Sequence, residues 1–403
     1  GLALLGFPIY IALGIGALAA LNLADLPLIV LPQRMFAGMN GSALLAIPFF
    51  ILAGNIMSRS ITGKLIDICN AIIGHIKGSL SLVTILASAL FGAISGSGVA
   101  TASAIGGITI PAMKREGYPA PFAVGVASIS SILGPIIPPS IVLIVYASIT
   151  NVSVAELFLG SVLPGIILAV ALIAYGLYYG HKHNLPAHEK PNLRKIGASV
   201  RKGIWALLMP IIIYGAIYGG FCTVTEAGAV SCVYGILYFA VLKIINKKKI
   251  QITFWRCCAI AGASTAVIGL LNAFSAVAGK VMTLAGISSF LSNLITANIS
   301  SRWGFLLMIN ILFIFMGTFM DINATILIMT PLLLPVAQTY GISTVHFGAI
   351  MLVNMCVGFL TPPFAVGIFV STKIAHSTFG ETVKEAIPFM GVGLIAILVT
   401  TLC

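Results

Sequence analysis

Charge is scarce in this chain. Only 7% of its 403 residues are charged, against 59% hydrophobic, whereas soluble domains carry roughly 25% charged residues. That shortage excludes a soluble globular fold, which could not hide so much apolar surface. Catalytic signatures are missing too. His75, His181, His183, His188, His346 and His376 form no H-E-x-x-H or similar ligand set. No Walker A sequence occurs, since Gly92–Gly98 is glycine-rich but lacks the lysine that would follow. Enzyme chemistry and direct use of ATP are therefore not expected. The seven cysteines contain no C-x-x-C pair and read as reduced, small core residues. The chain opens on Gly1 inside an apolar run, without the basic n-region or cleavage site of a secretory signal. A few native residues are expected to precede it.

What is present is a series of long apolar runs, as a bilayer core demands at about 20 residues per helical crossing. They lie at 3–23, 42–58, 119–150, 157–181, 204–221, 223–245, 257–285, 342–372 and 384–402, nine expected crossings. Two further stretches, 79–113 and 303–337, are interrupted at Ser95-Gly96-Ser97-Gly98 and at Met320-Asp321-Ile322-Asn323. Each reads as a re-entrant helical hairpin, because non-helical backbone at membrane depth survives only in protein or facing water. The 21 basic residues outnumber nine acids. No aromatic-basic pattern of a nucleic-acid binder accompanies them, and no nucleic-acid partner is expected. With the N-terminus inside, 18 basic residues fall on the cytoplasmic side, including six between Lys182 and Lys202 and the run Lys247–Lys249. Only Arg34, Lys280 and Arg302 lie nearer the outside. This asymmetry predicts a cytoplasmic N-terminus and, after nine crossings, a C-terminus on the outer side.

The most informative feature is an internal repeat. Pro335, Gly341, Gly358, Pro362-Pro363 and Pro388 each lie 224 positions after Pro111, Gly117, Gly134, Pro138-Pro139 and Pro164. Gly279 follows Gly54 at an offset of 225. Proline and glycine determine backbone bends, so the recurrence implies recurring bends. In this topology the two Pro-Pro breaks run in opposite directions, making the repeat inverted. Inverted repeats with paired broken helices mark secondary transporters. The breaks free carbonyl oxygens that suit a hard cation such as sodium. A kink made only for packing explains one such break more easily than two at matched positions.

Ala46–Gly54, Ser95–Gly98, Gly134–Ser140, Thr225–Ala229, Met320-Asp321 and Gly358–Pro363 together resemble the large membrane (M, DctM-like) subunit of tripartite ATP-independent periplasmic, or TRAP, transporters. The likeness covers nearly the whole chain. It implies an all-α polytopic membrane protein with an inverted-repeat, elevator-type ion-transporter fold, two re-entrant helical hairpins and two broken helices. It further implies a small four-helix membrane Q subunit, separate or trimmed away, and a periplasmic substrate-binding P protein in a bacterial inner membrane. Sodium-driven uptake of C4-dicarboxylates, sialic acids or other small organic anions would be the function. A stand-alone sodium/dicarboxylate symporter of the same fold is the alternative. The expected organisation is scaffold helices and arm over 1–78, first hairpin and broken helix over 79–150, and scaffold with basic loops over 151–256. A repeat-two scaffold helix and arm over 257–302, a second hairpin and broken helix over 303–374, and a last scaffold helix over 375–403 complete it.

Candidate sodium ligands are Ser95, Gly96 and Ser97 at the first tip, with Gly134 and Pro135 from the first break. Asp321 and Asn323 at the second tip, with Gly358 and Thr361, form the second set. Asp321 matches Ser97 at the 224 offset and is the one acid in 303–337; an intramembrane carboxylate points to function. Both residues also suit helix N-caps, a role compatible with ligation. Candidate substrate contacts are Ser97, Ser140, Thr361, Pro362 and Lys280, although Lys280 also suits snorkelling to the outer interface. Arg34 suits a surface role. Thr223-Val224-Thr225-Glu226 fits a capping box, so Glu226 is assigned to helix initiation.

Overall fold

The computed structural model describes residues 7–23, 25, 27–187, 192–246, 254–362, 365–375 and 378–402. Lys190, Lys247–Lys249, Pro363, Phe364, His188 and His376 lie outside them. The described chain is a set of packed helices. α1 (Ile9–Leu23) and the short α2 (Val30–Met39) lead, through a 60° bend, into α3 (Ala46–Ile73). No residue of α2 is buried, which fits the surface arm expected around Arg34. α4 (Ser79–Ser95) and α5 (Gly98–Arg115) form the first hairpin. α6 (Ala120–Ser131), the single turn α7 (Leu133–Ile136) and α8 (Ile141–Thr150) form the first broken helix.

Three long helices follow: α9 (Val154–Lys182), α10 (Leu193–Tyr218) and α11 (Val224–Asn246). α12 (Phe254–Leu284) and the short α13 (Ile287–Asn298) precede the second hairpin, α14 (Arg302–Phe319) and α15 (Ile322–Thr339). α16 (Thr344–Gly358) and α17 (Val366–Ala375) are the second broken helix, and α18 (Phe379–Leu402) ends the described chain.

The helix ends at Ser95, Ile136, Phe319 and Gly358 thus lie where glycine, serine, aspartate and proline interrupt the apolar pattern. The matched glycines behave alike, Gly117 at φ +83° and Gly341 at φ +71° after each hairpin. Elsewhere the halves diverge. Residues 46–73 form one helix, whereas the matching stretch splits at Gly286, φ +68°, into α12 and α13. Boundaries differ as well. α10 begins at Leu193 rather than near 204, because its first turns are basic (Arg194, Lys195, Arg201, Lys202) and depress the hydropathy that locates the crossing. α3 runs on to Ile73 for the same reason.

By length and apolarity, eight described helices can cross a membrane, or nine if the bent pair counts as one span. The set differs from the expected nine. The arms α14 and α15 qualify by length, while α1 and α16 are only 15 residues each. The outer faces are apolar in helical register. On α9, Leu159, Leu163, Ile166 and Val170 are exposed at successive turns, and on α14 so are Leu307, Ile311 and Phe315. Such stripes are stable against lipid, not water. The free cysteines Cys69, Cys232, Cys257 and Cys356 are buried, as expected of small core residues, whereas Cys222 and Cys258 are only half-buried and Cys403 lies outside the described residues. Thr223 and Glu226 close the capping box: Thr223 N–H donates to Glu226 Oε2 (2.7 Å) and Glu226 N–H to Thr223 Oγ1 (3.3 Å).

The halves interlock. α17 packs on α5 and α6, α15 on α8, and α18 on α6. A buried polar knot joins α14, α16 and α18. Asn354 Nδ2 donates to Asn310 Oδ1 (2.8 Å), and Asn310 Nδ2 donates to Thr401 Oγ1 (3.0 Å). Asn310→Ala would remove these buried bonds, leaving Asn354 Nδ2 only the Ile350 carbonyl (2.8 Å) and Thr401 Oγ1 only the Ile397 carbonyl (2.7 Å). It is expected to lower stability by about 1–3 kcal/mol, read as a reduced thermal midpoint in detergent; an unchanged midpoint would show that the knot is dispensable.

Candidate functional site

At the first tip, Gly96 ends α4 in the left-handed region, φ +61°. A Cβ there would stand 2.3 Å from the Pro139 carbonyl oxygen, so only glycine lets the tip touch the first break. Ser97 then turns extended and caps α5, its Oγ accepting from Ala100 N–H at 3.4 Å. The Ser97 carbonyl accepts from Thr101 Oγ1 (2.8 Å), which is also 3.3 Å from Ser95 Oγ. Gly134 closes this group. A Cβ on it would lie 2.7 Å from Thr101 Oγ1 and 2.8 Å from Ser97 O. Pro135 touches the same tip, with its Cδ 3.5 Å from where a Cβ on Gly98 would sit. Ser95, Gly96, Ser97, Gly134 and Pro135 are therefore brought together, forming a cluster of hydroxyl and carbonyl oxygens suited to a hard cation.

The second tip repeats this local geometry with a carboxylate. Asp321 Oδ1 accepts from Asn323 N–H (2.9 Å) and Ala324 N–H (3.2 Å), capping α15, and Thr325 Oγ1 donates to the Asp321 carbonyl (3.0 Å). Thr101 and Thr325 are functional candidates that sequence reasoning missed. Each stands four residues after its cap, and they are themselves 224 apart, a signal that the repeat offers.

Gly358 is arranged differently from Gly134. A Cβ on it would meet Ile314 O at 2.6 Å and Gly317 Cα at 2.8 Å, so the second break presses on the first arm of its hairpin. Thr361 makes a local turn, its N–H donating to Gly358 O (2.8 Å) and its Oγ1 to Val357 O (3.0 Å).

A cavity of about 360 Å³ lies between the tips. Ser95–Ala100 line one side and Asp321–Asn323 another, with Pro135, Ile141 and Phe359 from the breaks. Gly54 and Asn55 of α3 and Ser264 and Ile268 of α12 complete the wall. Asp321 is the only ionisable carboxylate, lysine, arginine or histidine side chain among the described lining residues. Ser140 does not reach the cavity. It is fully buried and caps α8, accepting from Leu143 N–H at 3.3 Å. Gly358, Thr361, Pro362 and Lys280 do not line it either. Lys280 lies 12 residues beyond Ile268 on α12, about 18 Å along the axis at about 1.5 Å per residue.

The chain is similar to the structure of the Alcanivorax borkumensis YdaH transporter, with a TM-score of 0.65 and 13% identity, over 93% of this chain and 87% of that one; the likeness concerns the fold alone. It is 36% identical to the C4-dicarboxylate TRAP transporter large permease protein DctM of Pseudomonas aeruginosa, over 96% of this chain and 90% of that protein. It is 35% identical to the isethionate TRAP transporter permease protein DctMQ of Oleidesulfovibrio alaskensis, over 98% of this chain but only 62% of that longer protein. The family model for the DctM component of the tripartite ATP-independent periplasmic transporter matches residues 1–403. A polytopic all-helical chain matched along its whole length by that model belongs to the DctM family of TRAP transporter large permeases, which are transport proteins and not enzymes.

Proposed function

We propose that this permease takes up a small organic anion in symport with sodium, by an elevator motion, across a bacterial inner membrane. The observation that carries the reading is the cavity itself. Two tips rich in oxygen atoms line it together with α3 and α12, and Asp321 is the one charge among its described lining residues. Such a site attracts cations and needs them before an anion can enter, which couples the two. The first sodium would be held by oxygens around Ser95, Gly96, Ser97, Thr101, Gly134 and Pro135. The second would lie near Asp321, Asn323 and Thr325, with Gly358 and Thr361 supplying the adjoining break. Ser97 is the tip hydroxyl best placed for substrate. Ser140, Pro362 and Lys280 contribute through packing or long-range charge rather than contact.

In this reading the hairpins and broken helices, 79–150 and 303–374, are the moving unit. Helices in 1–78, 151–256, 257–302 and 375–403 form the scaffold. The 224-residue repeat is inverted, so each tip approaches the midplane from its own side. The N-terminus is cytoplasmic and the C-terminus periplasmic, in keeping with the placement of basic residues. A small membrane Q subunit, fused in the DctMQ relative by its name, covers scaffold surface, and a periplasmic P protein delivers the anion. C4-dicarboxylates and sialic acid are the substrate classes to try first.

The test is uptake of labelled organic acids into proteoliposomes holding this chain with its small partner. Uptake that requires both an inward sodium gradient and the periplasmic protein is expected. Equal uptake in sodium and potassium would remove the sodium coupling. Uptake needing sodium but no soluble protein would make the chain a stand-alone symporter.

A further inference from the structure

The charges around the cavity specify more than its sodium dependence. No described lysine, arginine or histidine lines the wall, and Asp321 already supplies one negative charge. Net charge is costly in a low-dielectric site within a membrane. If one sodium sits at each tip, as in the transport reading on which this inference rests, two positive charges face Asp321. One further carboxylate brings the loaded site to neutrality. A dicarboxylate would leave it negative.

A seat for that single carboxylate is present. Asn55 lines the cavity from α3, and its neighbour Gly54 abuts the first tip, a Cβ there lying 3.1 Å from Ser95 Cα. The Asn55 Nδ2 donor is buried and has no hydrogen-bond partner, and a turn of the amide about its last side-chain torsion brings it to the cavity that Asn55 lines. An unpaired buried donor is costly until an acceptor arrives, and an ionised acceptor gives the stronger bond. The rest of the wall is largely apolar, including Ile51, Ile260, Ile268 and Phe359; among its described residues it offers a second carboxylate no cationic partner. We propose that the cavity takes a monoanionic organic acid in preference to a dianion, with Asn55 donating to its carboxylate.

The test is binding of charge-matched pairs to the protein with its small membrane partner, in sodium at pH 7.5, by titration calorimetry. The pairs are gluconate with glucarate and butyrate with succinate, with N-acetylneuraminate as a larger monoanion. The monoanion of each pair is expected to bind at least about tenfold tighter, the size of one lost or unbalanced interaction worth about 1.4 kcal/mol. Asn55→Ala, and the similarly shaped, uncharged Asn55→Leu if the alanine variant folds poorly, should weaken monoanion binding about tenfold. Thermal stabilisation by sodium without anion should be unaffected, a separation that a merely structural Asn55 would not produce. Glucarate or succinate binding as tightly as its partner overturns the proposal while leaving the transport reading intact. Unchanged monoanion affinity in both Asn55 variants overturns the assignment of the donor. Absence of sodium-dependent binding by every acid overturns the transport reading and this proposal together.

Discussion

Gly96→Ala is expected to abolish transport. The residue sits at φ +61°, where an L side chain costs roughly 1–2 kcal/mol. The larger effect is steric. The new methyl would stand 2.3 Å from the Pro139 carbonyl oxygen, and a backbone carbonyl cannot rotate aside as a flexible side chain would. The first tip must therefore back away from the first break. That displaces Ser97 O and Thr101 Oγ1 from Gly134 and opens the proposed sodium site. Uptake should fall about 100-fold, the scale on which a misplacement of about 1 Å costs an active site. Gly107→Ala, on α5 of the same hairpin, is the control, because nothing lies within 4 Å of its Cβ position. Initial uptake rates in proteoliposomes decide the matter. Gly96→Ala transport within twofold of the parent would show that the tip–break contact is unimportant.

Asp321→Asn should be nearly as damaging, through charge rather than shape. Asparagine caps a helix about as well as aspartate, so the bonds to Asn323 and Ala324 N–H have a replacement acceptor and α15 should persist. What disappears is the only formal charge among the described residues of the cavity wall. A unit charge about 4 Å from a cation at an effective dielectric near 20 is worth about 4 kcal/mol. Losing half of that raises the half-saturating sodium concentration about 30-fold. The check is the sodium dependence of uptake, with thermal stability measured alongside. Asp321→Ala, which also removes the cap, should cost about 1 kcal/mol more in stability. If Asp321→Asn keeps the parent's sodium dependence, Asp321 serves only as a cap.

Both predictions turn on residues that stand out along the chain itself. Gly96 and Asp321 interrupt apolar runs, and interruptions are local events. So are the Pro-Pro breaks, the Thr223–Glu226 box and the paired glycines 117 and 341. Each follows from the conformations that one residue permits, and such constraints are legible in sequence. Hydropathy misplaces the beginning of α10 because it reports membrane depth and not helicity. The basic first turns of that helix are helical but polar.

Thr101, Thr325 and Asn55 are hidden in the sequence for another reason. A threonine that bonds back to a cap carbonyl looks like any other helical threonine, and Asn55 gains meaning only from the wall opposite it. The class, the two tips, the two breaks and the repeat were decided by the sequence itself, because proline, glycine and charge act on the backbone and solvent next to them. The cavity, the single charge among its described lining residues and the exclusion of Lys280, Ser140 and Thr361 from its wall were decided by tertiary packing alone. Those properties depend on which surfaces of α3, α12 and the two hairpins meet, and contacts between residues hundreds of positions apart leave no periodic trace along the chain.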